Sequence, residues 1–372
     1  MTIQTLTMPK WGLTMTEGKV AAWLVAEGET VARGGDLAEI ETAKIVNVFE
    51  SPIEGRLRRR VAAEGETLPV GALLAVFADD SEADAAIDAV IAEFQAGFVT
   101  PETGGEDTAI AASVVAVDGR PIAFHDRAPD GAAGLPLLLL HGFGGDKDNW
   151  LFNIDALAAT RRVIAPDLPG HGDSTLDFGA GDLAALAGAV RGLMDALGIA
   201  RAHLAGHSLG AAVAAKLAAL APERVASLVL IAPAGFGGGV DESFMAGFVA
   251  ADRRKEMKAV LEMLFADPRL VSREIVEGVL RHKRLDGANA ALAAIRAAVF
   301  PGGSPAEDMA PALAAWTGPV LAIRGEADRV AAPPVLPASV ALHNLPDIGH
   351  MPQMEAAGTV NALIAEFLVN RP

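Results

Sequence analysis

Residues 39–46 read EIETAKIV, and a near-repeat of sequence stands on each side of them. The segment 17–40 aligns with 54–77 at a constant offset of 37, with identical residues at ten of 24 positions. Each copy combines Gly-Glu turn signals with alternating aliphatic residues, which predicts a small strand-turn-strand unit. Since neither copy could bury its apolar face alone, we expect one flattened barrel with approximate two-fold symmetry. Lys44 would then lie at the exposed tip of the hairpin that joins the copies, where it could be loaded covalently with a carrier arm.

Around this lysine the sequence resembles the lipoyl domains of 2-oxo acid and acetoin dehydrogenase complexes, over roughly residues 1–80. The resemblance is carried by GDLAEIETAK at residues 35–44 and by Ser-Pro-x-x-Gly at residues 51–55. Biotinyl domains share the fold but carry Ala-Met-Lys-Met around their lysine, whereas Glu-Thr-Ala-Lys is the lipoyl version. The resemblance implies lipoate as a covalent cofactor and group carrier on Lys44. The alternative is an ordinary solvated lysine in a hairpin.

Composition and charge exclude several classes of protein. The chain has 372 residues, of which 51% are hydrophobic and 21% charged, so two or three globular domains fit. A net charge of −17 argues against nucleic acid and anionic membrane surfaces as partners. Without cysteine there is no disulfide, zinc-thiolate site or catalytic thiol, and we predict no metal site. The N-terminal residues do not resemble a signal peptide and no apolar run is long enough to span a membrane, so we expect a soluble, cytoplasmic protein.

Residues 81–111 are predicted to form a helix followed by a linker. Apolar residues recur at helical spacing from Ile87 to Phe94, and Ser81 is a suitable N-cap. The apolar stripe could pack on either neighbouring domain or on a partner subunit. Residues 98–110 contain Pro101 and two adjacent glycines, and a flexible coil of this length reaches ~20 Å, which would allow a swinging carrier.

From Ser113 onward the pattern alternates between strands and helices. The segments 114–117 and 122–125 predict a hairpin around an Asp-Gly turn. The uninterrupted apolar run 135–140 is typical of a strand covered on both faces in a parallel sheet. A helix over 182–197 and further strands follow it, so residues 112–372 are predicted to form an α/β domain.

Residues 206–210, Gly-His-Ser-Leu-Gly, match the nucleophile elbow Gly-x-Ser-x-Gly. Small residues at both ends of this motif allow a tight turn between a strand and a helix, which exposes the serine hydroxyl. The preceding residues are strand-like and residues 211–220 are strongly helical, as the elbow requires. Ser208 is therefore the candidate nucleophile, at a helix N-terminus whose free N–H groups favour a developing anion.

A serine nucleophile needs a base and an acid that orients the base. In the chain order of this motif the acid comes before the histidine, and Asp328 and His350 each follow a predicted strand. Glu326 is the nearest competitor for the acid. The backbone N–H groups of Phe143 and Leu209 are the candidates for the oxyanion hole.

Residues 112–372 thus resemble the α/β-hydrolase family along their whole length. The resemblance implies a mostly parallel sheet with helices on both faces and a helical cap at about residues 236–315. The cap holds ten of the chain's 30 Lys and Arg residues. Arg253, Arg254 and Lys283 are candidates for binding the phosphates of coenzyme A, and ordinary solvated helix faces are the alternative.

A lipoyl domain joined to an α/β-hydrolase domain, with HGFGGDKDNW at residues 141–150, resembles the E2 component of acetoin dehydrogenase complexes. The resemblance implies acetyl transfer from S-acetyldihydrolipoyl-lysine to coenzyme A. It also implies a thiamine-dependent E1 and a dihydrolipoamide dehydrogenase E3 as partners, and a homo-oligomeric core. Our leading hypothesis for the chemistry is a serine acyl-enzyme. A thioester or ester hydrolase with the same triad and a non-catalytic carrier or scaffold remain alternatives.

A second motif competes with the triad. Most E2 acetyltransferases have a different catalytic fold marked by His-x-x-x-Asp-Gly, and residues 282–287 fit this pattern. The match lies inside the predicted cap, without an acyltransferase domain around it. We therefore expect His282 to be non-catalytic, because a short motif outside its structural setting has little specificity.

Overall fold

The computed structural model describes residues 3–9, 17–42, 46–98, 112–129, 131–132 and 134–369. The chain divides into two compact units, Met1–Ile110 and Ala111–Pro372. The described part of the first unit is all-β apart from one helix, and the second unit alternates strands with helices. This combination of a small β-barrel and an α/β unit is the fold class that the sequence predicted.

In the described part of the first unit, eight strands form two antiparallel sheets with the orders β1-β8-β6-β3 and β5-β4-β2-β7. Strands β3 and β4 begin 37 residues before β7 and β8, so each sheet combines two strands of one sequence copy with one strand of the other. The buried core between the sheets includes Val20, Leu37, Leu57 and Leu74. The predicted two-fold flattened barrel is therefore confirmed. The strands are Gln4–Thr7 (β1), Glu17–Trp23 (β2), Thr30–Val31 (β3), Asp36–Glu41 (β4), Val46–Glu50 (β5), Gly55–Arg60 (β6), Thr67–Pro69 (β7) and Leu73–Phe77 (β8).

The hairpin that joins the two copies is formed by β4 and β5. Its strands are paired as far as Glu41 and Val46, which face each other across the ladder. Lys44 belongs to the connection between these two residues and lies outside the described residues.

The helix after the barrel, Asp84–Gly97 (α1), packs on the barrel's outer face. Ile87 is fully buried against Leu73, Val76 and Ala78 of the barrel, and the neighbouring apolar residues of the helix extend this contact. The apolar stripe thus packs on its own unit, which decides between the alternatives that the sequence left open. The predicted cap at Ser81 was wrong: Ala83 holds the N-cap position and makes no side-chain cap hydrogen bond.

The second unit contains a sheet with the order β16-β15-β14-β13-β11-β12-β10-β9. Strand β9 pairs antiparallel with β10, β10 pairs antiparallel with β12, and the remaining pairs are parallel. The predicted hairpin is present, and Asp118 and Gly119 both have positive φ at its turn. The strands are Ser113–Val117 (β9), Arg120–Arg127 (β10), Leu137–Leu140 (β11), Val163–Pro166 (β12), Ala202–His207 (β13), Val225–Ile231 (β14), Val320–Gly325 (β15) and Ala341–Leu345 (β16).

Helices cover the sheet, and five of those described lie between β14 and β15, where the cap was predicted. The central parallel strands β11, β13 and β14 are buried at nearly every position, which explains their mostly apolar sequence. The carboxyl ends of β11, β13, β15 and β16 lead into the loops that carry the site residues described below. The helices are Ile154–Leu157 (α2), Leu183–Ala196 (α3), Leu209–Leu220 (α4), Glu242–Ala250 (α5), Arg254–Leu261 (α6), Arg273–Lys283 (α7), Ala288–Val299 (α8), Ala310–Ala315 (α9), Pro352–Glu355 (α10) and Ala357–Val369 (α11).

Candidate active site

Ser208 occupies a strained turn between β13 and α4. Its backbone adopts φ 52° and ψ −114°, a conformation that L residues rarely adopt and that costs of order 1–3 kcal/mol. Glycine is required on both sides, because a Cβ on Gly206 would lie 2.3 Å from the carbonyl carbon of Gly210. A Cβ on Gly210 would lie 2.2 Å from the carbonyl oxygen of Leu140. The turn therefore has the geometry of the elbow that the motif predicts.

His350 is joined to Asp328, the residue predicted to orient it. The distance between His350 Nδ1 and Asp328 Oδ2 is 2.9 Å, and both side chains are buried. The other oxygen of Asp328 accepts hydrogen bonds from the N–H groups of Val330 and Ala331 at 2.9 and 3.0 Å. An Nδ1–H donated to Asp328 leaves the Nε2 of His350 as the free basic nitrogen.

The protonation state of Asp328 suits an orienting carboxylate. Burial raises its pKa, but the charge and hydrogen bond of His350 and the two backbone N–H groups together bring the pKa below the usual value. The carboxylate is therefore ionised near neutral pH, where it would stabilise a positive charge on the His350 ring.

Ser208 and His350 line the same cleft. The walls are mainly aliphatic and aromatic side chains from α5, α6, α7 and the cap loops, and Gly142–Gly145 forms another part of the lining. Such a surface suits an acyl group more than a charged one. The apolar wall consists of Val240, Phe244, Met245, Phe248, Leu261, Leu264, Phe265, Ile275, Val279, Phe300, Met351 and Met354.

The loop after β11 carries Phe143, which lines the cleft together with its glycine neighbours. His141 Nδ1 lies 2.8 Å from the carbonyl oxygen of Gly142, and its Nε2 accepts a hydrogen bond from the Leu168 N–H. A Cβ on Gly142 would lie 2.7 Å from His207 Nδ1, and one on Gly144 would lie 2.3 Å from the ring of Phe248. The loop is thus packed closely against Ser208, the candidate nucleophile, which is where an oxyanion hole would be needed.

Three buried histidines surround this arrangement. Burial lowers the pKa of His141 to about 4 and the pKa values of His171 and His207 to about 3. These side chains are therefore neutral near pH 7 and act as hydrogen-bonding braces. His207 Nε2 lies 2.7 Å from the carbonyl oxygen of His350, a contact that the adjacent sequence gave no reason to expect.

Ion pairs of Lys147 hold the loop after β11 against the loop after β12. Lys147 Nζ contacts Asp167 Oδ2 at 3.2 Å and Asp173 Oδ2 at 2.6 Å, and Asp167 is fully buried. Burial lowers the pKa of Lys147, but the charge of Asp167 and the bond to Asp173 outweigh that effect and raise it. Removing one partner of such a pair costs about 3–5 kcal/mol because the other charge stays buried. Sequence reasoning missed these contacts, since Asp167 and Asp173 lie 20 and 26 residues after Lys147, in a different loop.

His282 is placed apart from the triad. Its Nδ1 lies 3.5 Å from Asp146 Oδ2, and its Nε2 lies 3.7 Å from Asp173 Oδ1. It lines a neighbouring chamber that shares the glycines of the Phe143 loop with the cleft but includes neither Ser208 nor His350. Gly287, the last residue of the competing motif, has φ 90° and is the N-cap of α8. The motif thus coincides with a helix-to-helix turn.

The three candidate phosphate ligands differ in their surroundings. Arg253 is exposed, and Arg254 forms an ion pair with Glu277 at 2.6 Å between Nε and Oε1. Lys283 is 6% exposed, and its Nζ donates to the carbonyl oxygens of Phe248, Val249 and Ala251 at the end of α5. An ammonium group has three donors. Lys283 therefore does not fit the phosphate-binding role that the sequence suggested. Its ammonium group caps the C-terminal end of α5 and has no donor left for a phosphate.

Within the described residues, no group of three or more His, Asp or Glu side chains is arranged to hold a metal ion. Likewise, none of the helices in the described ranges is long and apolar enough to cross a membrane.

Comparison with known proteins assigns both units to families. The family described as "alpha/beta hydrolase fold" matches residues 136–357, and the family described as "Biotin-requiring enzyme" matches residues 4–77. The dihydrolipoyllysine-residue acetyltransferase component of the acetoin cleaving system of Pseudomonas putida is 47% identical, covering 98% of each chain. The corresponding component of Cupriavidus necator is 45% identical over 99% of this chain and 98% of its own. A solved meta-cleavage product hydrolase matches 69% of this chain and 97% of its own, with a TM-score of 0.60 and 25% identity.

Proposed function

Because the chain belongs to the family of dihydrolipoyllysine-residue acetyltransferases of acetoin-cleaving systems, we propose that its acetyl transfer proceeds through an acyl-enzyme on Ser208. The chain is an acyltransferase of acetoin catabolism and carries lipoate covalently. The observation that carries the proposal is the single cleft lined by Ser208 on its elbow and by His350, which Asp328 orients. These are the parts that nucleophilic catalysis by serine requires.

In the first half-reaction, Ser208 Oγ attacks the carbonyl carbon of the acetyl thioester while His350 Nε2 accepts the hydroxyl proton. The negative charge moves to the carbonyl oxygen, where the backbone N–H groups of Phe143 and Leu209 stabilise it. The carbon–sulfur bond then breaks, and the proton held by His350 passes to the departing sulfur. The products are acetyl-Ser208 and a free thiol.

In the second half-reaction, His350 Nε2 takes the proton of the coenzyme A thiol, and the sulfur attacks the acetyl carbon of acetyl-Ser208. The ester bond breaks, Ser208 regains its proton from His350, and acetyl-coenzyme A leaves. Water in place of the thiol would give acetate by the same steps. The apolar wall of the cleft favours the thiol, because it offers few partners that could hold an attacking water molecule.

The lipoate is assigned to Lys44. The strands on either side of this residue are paired up to Glu41 and Val46, and Lys44 is one of the four residues that join them in sequence. An amine carried on such a connection fits an amide-linked arm. When bound, the lipoyl group supplies a long arm whose thiol carries the acetyl group as a thioester.

Membership of this family also implies partner proteins. We infer that a thiamine-dependent E1 supplies the acetyl group, that a flavoprotein E3 reoxidises the arm, and that several copies of this chain form the core. Membership of an acetoin cleaving system supports the existence of such partner enzymes. The net charge of −17 indicates that basic surfaces on the partners would be attracted to this chain.

The direct test supplies S-acetyldihydrolipoamide to the purified chain with and without coenzyme A. We expect acetyl-coenzyme A to be the main product when coenzyme A is present, with slow release of acetate when it is absent. The measurement is the ratio of acetyl-coenzyme A to acetate over time. Acetate formed at the same rate in both reactions would identify the chain as a hydrolase and reject the transferase mechanism.

The cap arginines give a second prediction. Arg253→Glu or Arg254→Glu should raise the KM for coenzyme A about 10-fold, because each change replaces an attraction to phosphate by a repulsion. The KM for the acetyl donor should change little, and the effect should weaken as salt rises. Arg191→Glu, an equal change of charge on the exposed face of α3, is the matched control. Equal rises in both KM values would assign these arginines to a solvated surface.

A further inference from the structure

Glu355, at the end of α10, is a buried carboxyl group beside the catalytic histidine. Its side chain accepts three backbone N–H hydrogen bonds. Oε1 accepts from Gly349 at 2.9 Å and from Met351 at 3.3 Å, the residues immediately before and after His350. Oε2 accepts from Ala266 at 2.8 Å, in the cap. One side chain thus binds both sides of the His350 backbone and a segment 89 residues away in sequence.

The cap segment bound by Glu355 also contacts the histidine directly. The N–H of His350 donates to the carbonyl oxygen of Leu264 at 2.7 Å. The approach is so close that a Cβ on Gly349 would lie 2.6 Å from the backbone nitrogen of Ala266. Leu264 and Phe265 line the cleft that holds Ser208. The wall of the acyl site and the backbone of the base are therefore in direct contact.

Two further contacts complete this attachment. The carbonyl oxygen of His350 accepts from His207 Nε2 at 2.7 Å, which ties it to the residue before the nucleophile. Arg329, next to the triad acid, donates to the carbonyl oxygens of Phe265 and Glu262 at 3.1 and 3.4 Å. The segment 262–266 is thus anchored to the loops that carry Asp328 and His350.

We propose that Glu355 is a positioning residue for the acetyl transfer: its carboxylate holds the His350 backbone and the cap segment 264–266 as one unit, so that the base and the acyl-site wall keep a fixed relation. The inference rests on the proposed function, because it assumes that His350 is the base for Ser208. Positioning matters at this point because an error of about 1 Å in a reacting group can cost 10²-fold in rate.

The geometry separates two ways in which Glu355 could act. A carboxylate could assist His350 through its negative charge alone, or it could act through the placement of its two oxygens. Aspartate keeps the charge but is one methylene shorter, so it cannot reach all three donors from the same backbone position. Glutamine keeps the length, but its NH₂ group must face at least one N–H donor and lose that hydrogen bond.

The test compares Glu355→Gln and Glu355→Asp with the unaltered chain. The first measurement is the rate at which a fluorophosphonate modifies Ser208, which needs the base but no coenzyme A. The second is kcat and KM for transfer from S-acetyldihydrolipoamide to coenzyme A. Both use the folded fraction, isolated by gel filtration and checked by circular dichroism. Glu242→Gln, which weakens a cap ion pair to Arg296 away from the His350 loop, is the matched control.

We expect both variants to lose about 10-fold to 100-fold in the fluorophosphonate rate and in kcat, while the KM for coenzyme A changes less than about 2-fold. The control should keep both rates. If Glu355→Asp retained activity, the residue would act through its charge, and the proposal would be overturned. It would also be overturned if both variants had lower melting temperatures but unchanged rates in the folded fraction, because that result marks a purely structural role.

A failure of the proposed function would look different. If the unaltered chain released acetate regardless of coenzyme A, the transferase mechanism would fail. The fluorophosphonate rates would still report whether Glu355 positions the base, since that reaction needs only Ser208 and His350.

Discussion

Ser208→Ala is expected to lower acetyl transfer by about 10³-fold or more. The alanine cannot form the acyl-enzyme, and what remains is the contribution of the cleft and the backbone donors. His350→Ala should cost about as much, and the double variant should be little worse than either single one, because triad members act as a unit. The measurement is kcat/KM with S-acetyldihydrolipoamide and coenzyme A.

His282→Ala is the matched control for this prediction, because it removes a histidine from the cap without touching the triad. It should leave the chemical step largely intact. The contrary mechanism would have His282 deprotonate coenzyme A for direct attack on the thioester, with no acyl-serine. In that case Ser208→Ala would keep most of its activity, and our assignment would fail.

Trapping the intermediate separates the two mechanisms further. When coenzyme A is omitted and the reaction is quenched rapidly, acetyl should be found by mass spectrometry on the peptide that contains Ser208. The environment of His282 agrees with this expectation. It lies 3.5 and 3.7 Å from two carboxylate oxygens, in a chamber whose lining lacks Ser208.

Lys44→Arg is expected to abolish acetyl flow from E1 to coenzyme A while sparing transfer from free S-acetyldihydrolipoamide. Arginine keeps the positive charge but provides no amine for an amide-linked arm. Tethering raises the local concentration of the arm to roughly the millimolar range without altering the site that uses it. The two assays on one variant therefore distinguish the loading of the lipoyl arm by E1 from the acetyl transfer to coenzyme A.

Lys19→Arg is the control for this second variant, because Lys19 is a neighbouring lysine that pairs with Glu41 at 2.8 Å. It should keep its lipoate and its activity with E1. Mass spectrometry of the unaltered protein from lipoate-competent cells should place the lipoyl mass on the peptide that contains Lys44. An unmodified Lys44 in such a sample would contradict the assignment.

Much of the site could be predicted from short stretches of sequence. The elbow was predictable because its two glycines and its position between strand and helix follow from local sterics at residues 206–210. Asp328 and His350 were predictable because each follows a strand of a parallel sheet, and such strands end at the same edge. The pairing of their side chains at 2.9 Å agrees with that reasoning.

Other features could not be predicted, because their partners are distant in sequence. Glu355 accepts from Ala266, 89 residues away, and His207 contacts His350, 143 residues away. The sequence places Lys283 in a basic cluster, and only its tertiary contacts show that its ammonium binds the end of another helix, α5. Neither composition nor periodicity contains information on such contacts.

The sequence by itself determined the two-unit architecture, the two-fold barrel, the candidate lysine for the carrier arm, and the chain order of the candidate catalytic residues. These properties follow from simple sequence rules: a 24-residue repeat at an offset of 37 fixes equivalent strands, and turn sterics fix glycine at the elbow. The tertiary structure decided which polar groups form structural hydrogen bonds or ion pairs and which face the cleft. That decision depends on how the cap helices pack on the loops after β11, β15 and β16, because burial obliges each polar group to find a partner wherever the packing provides one.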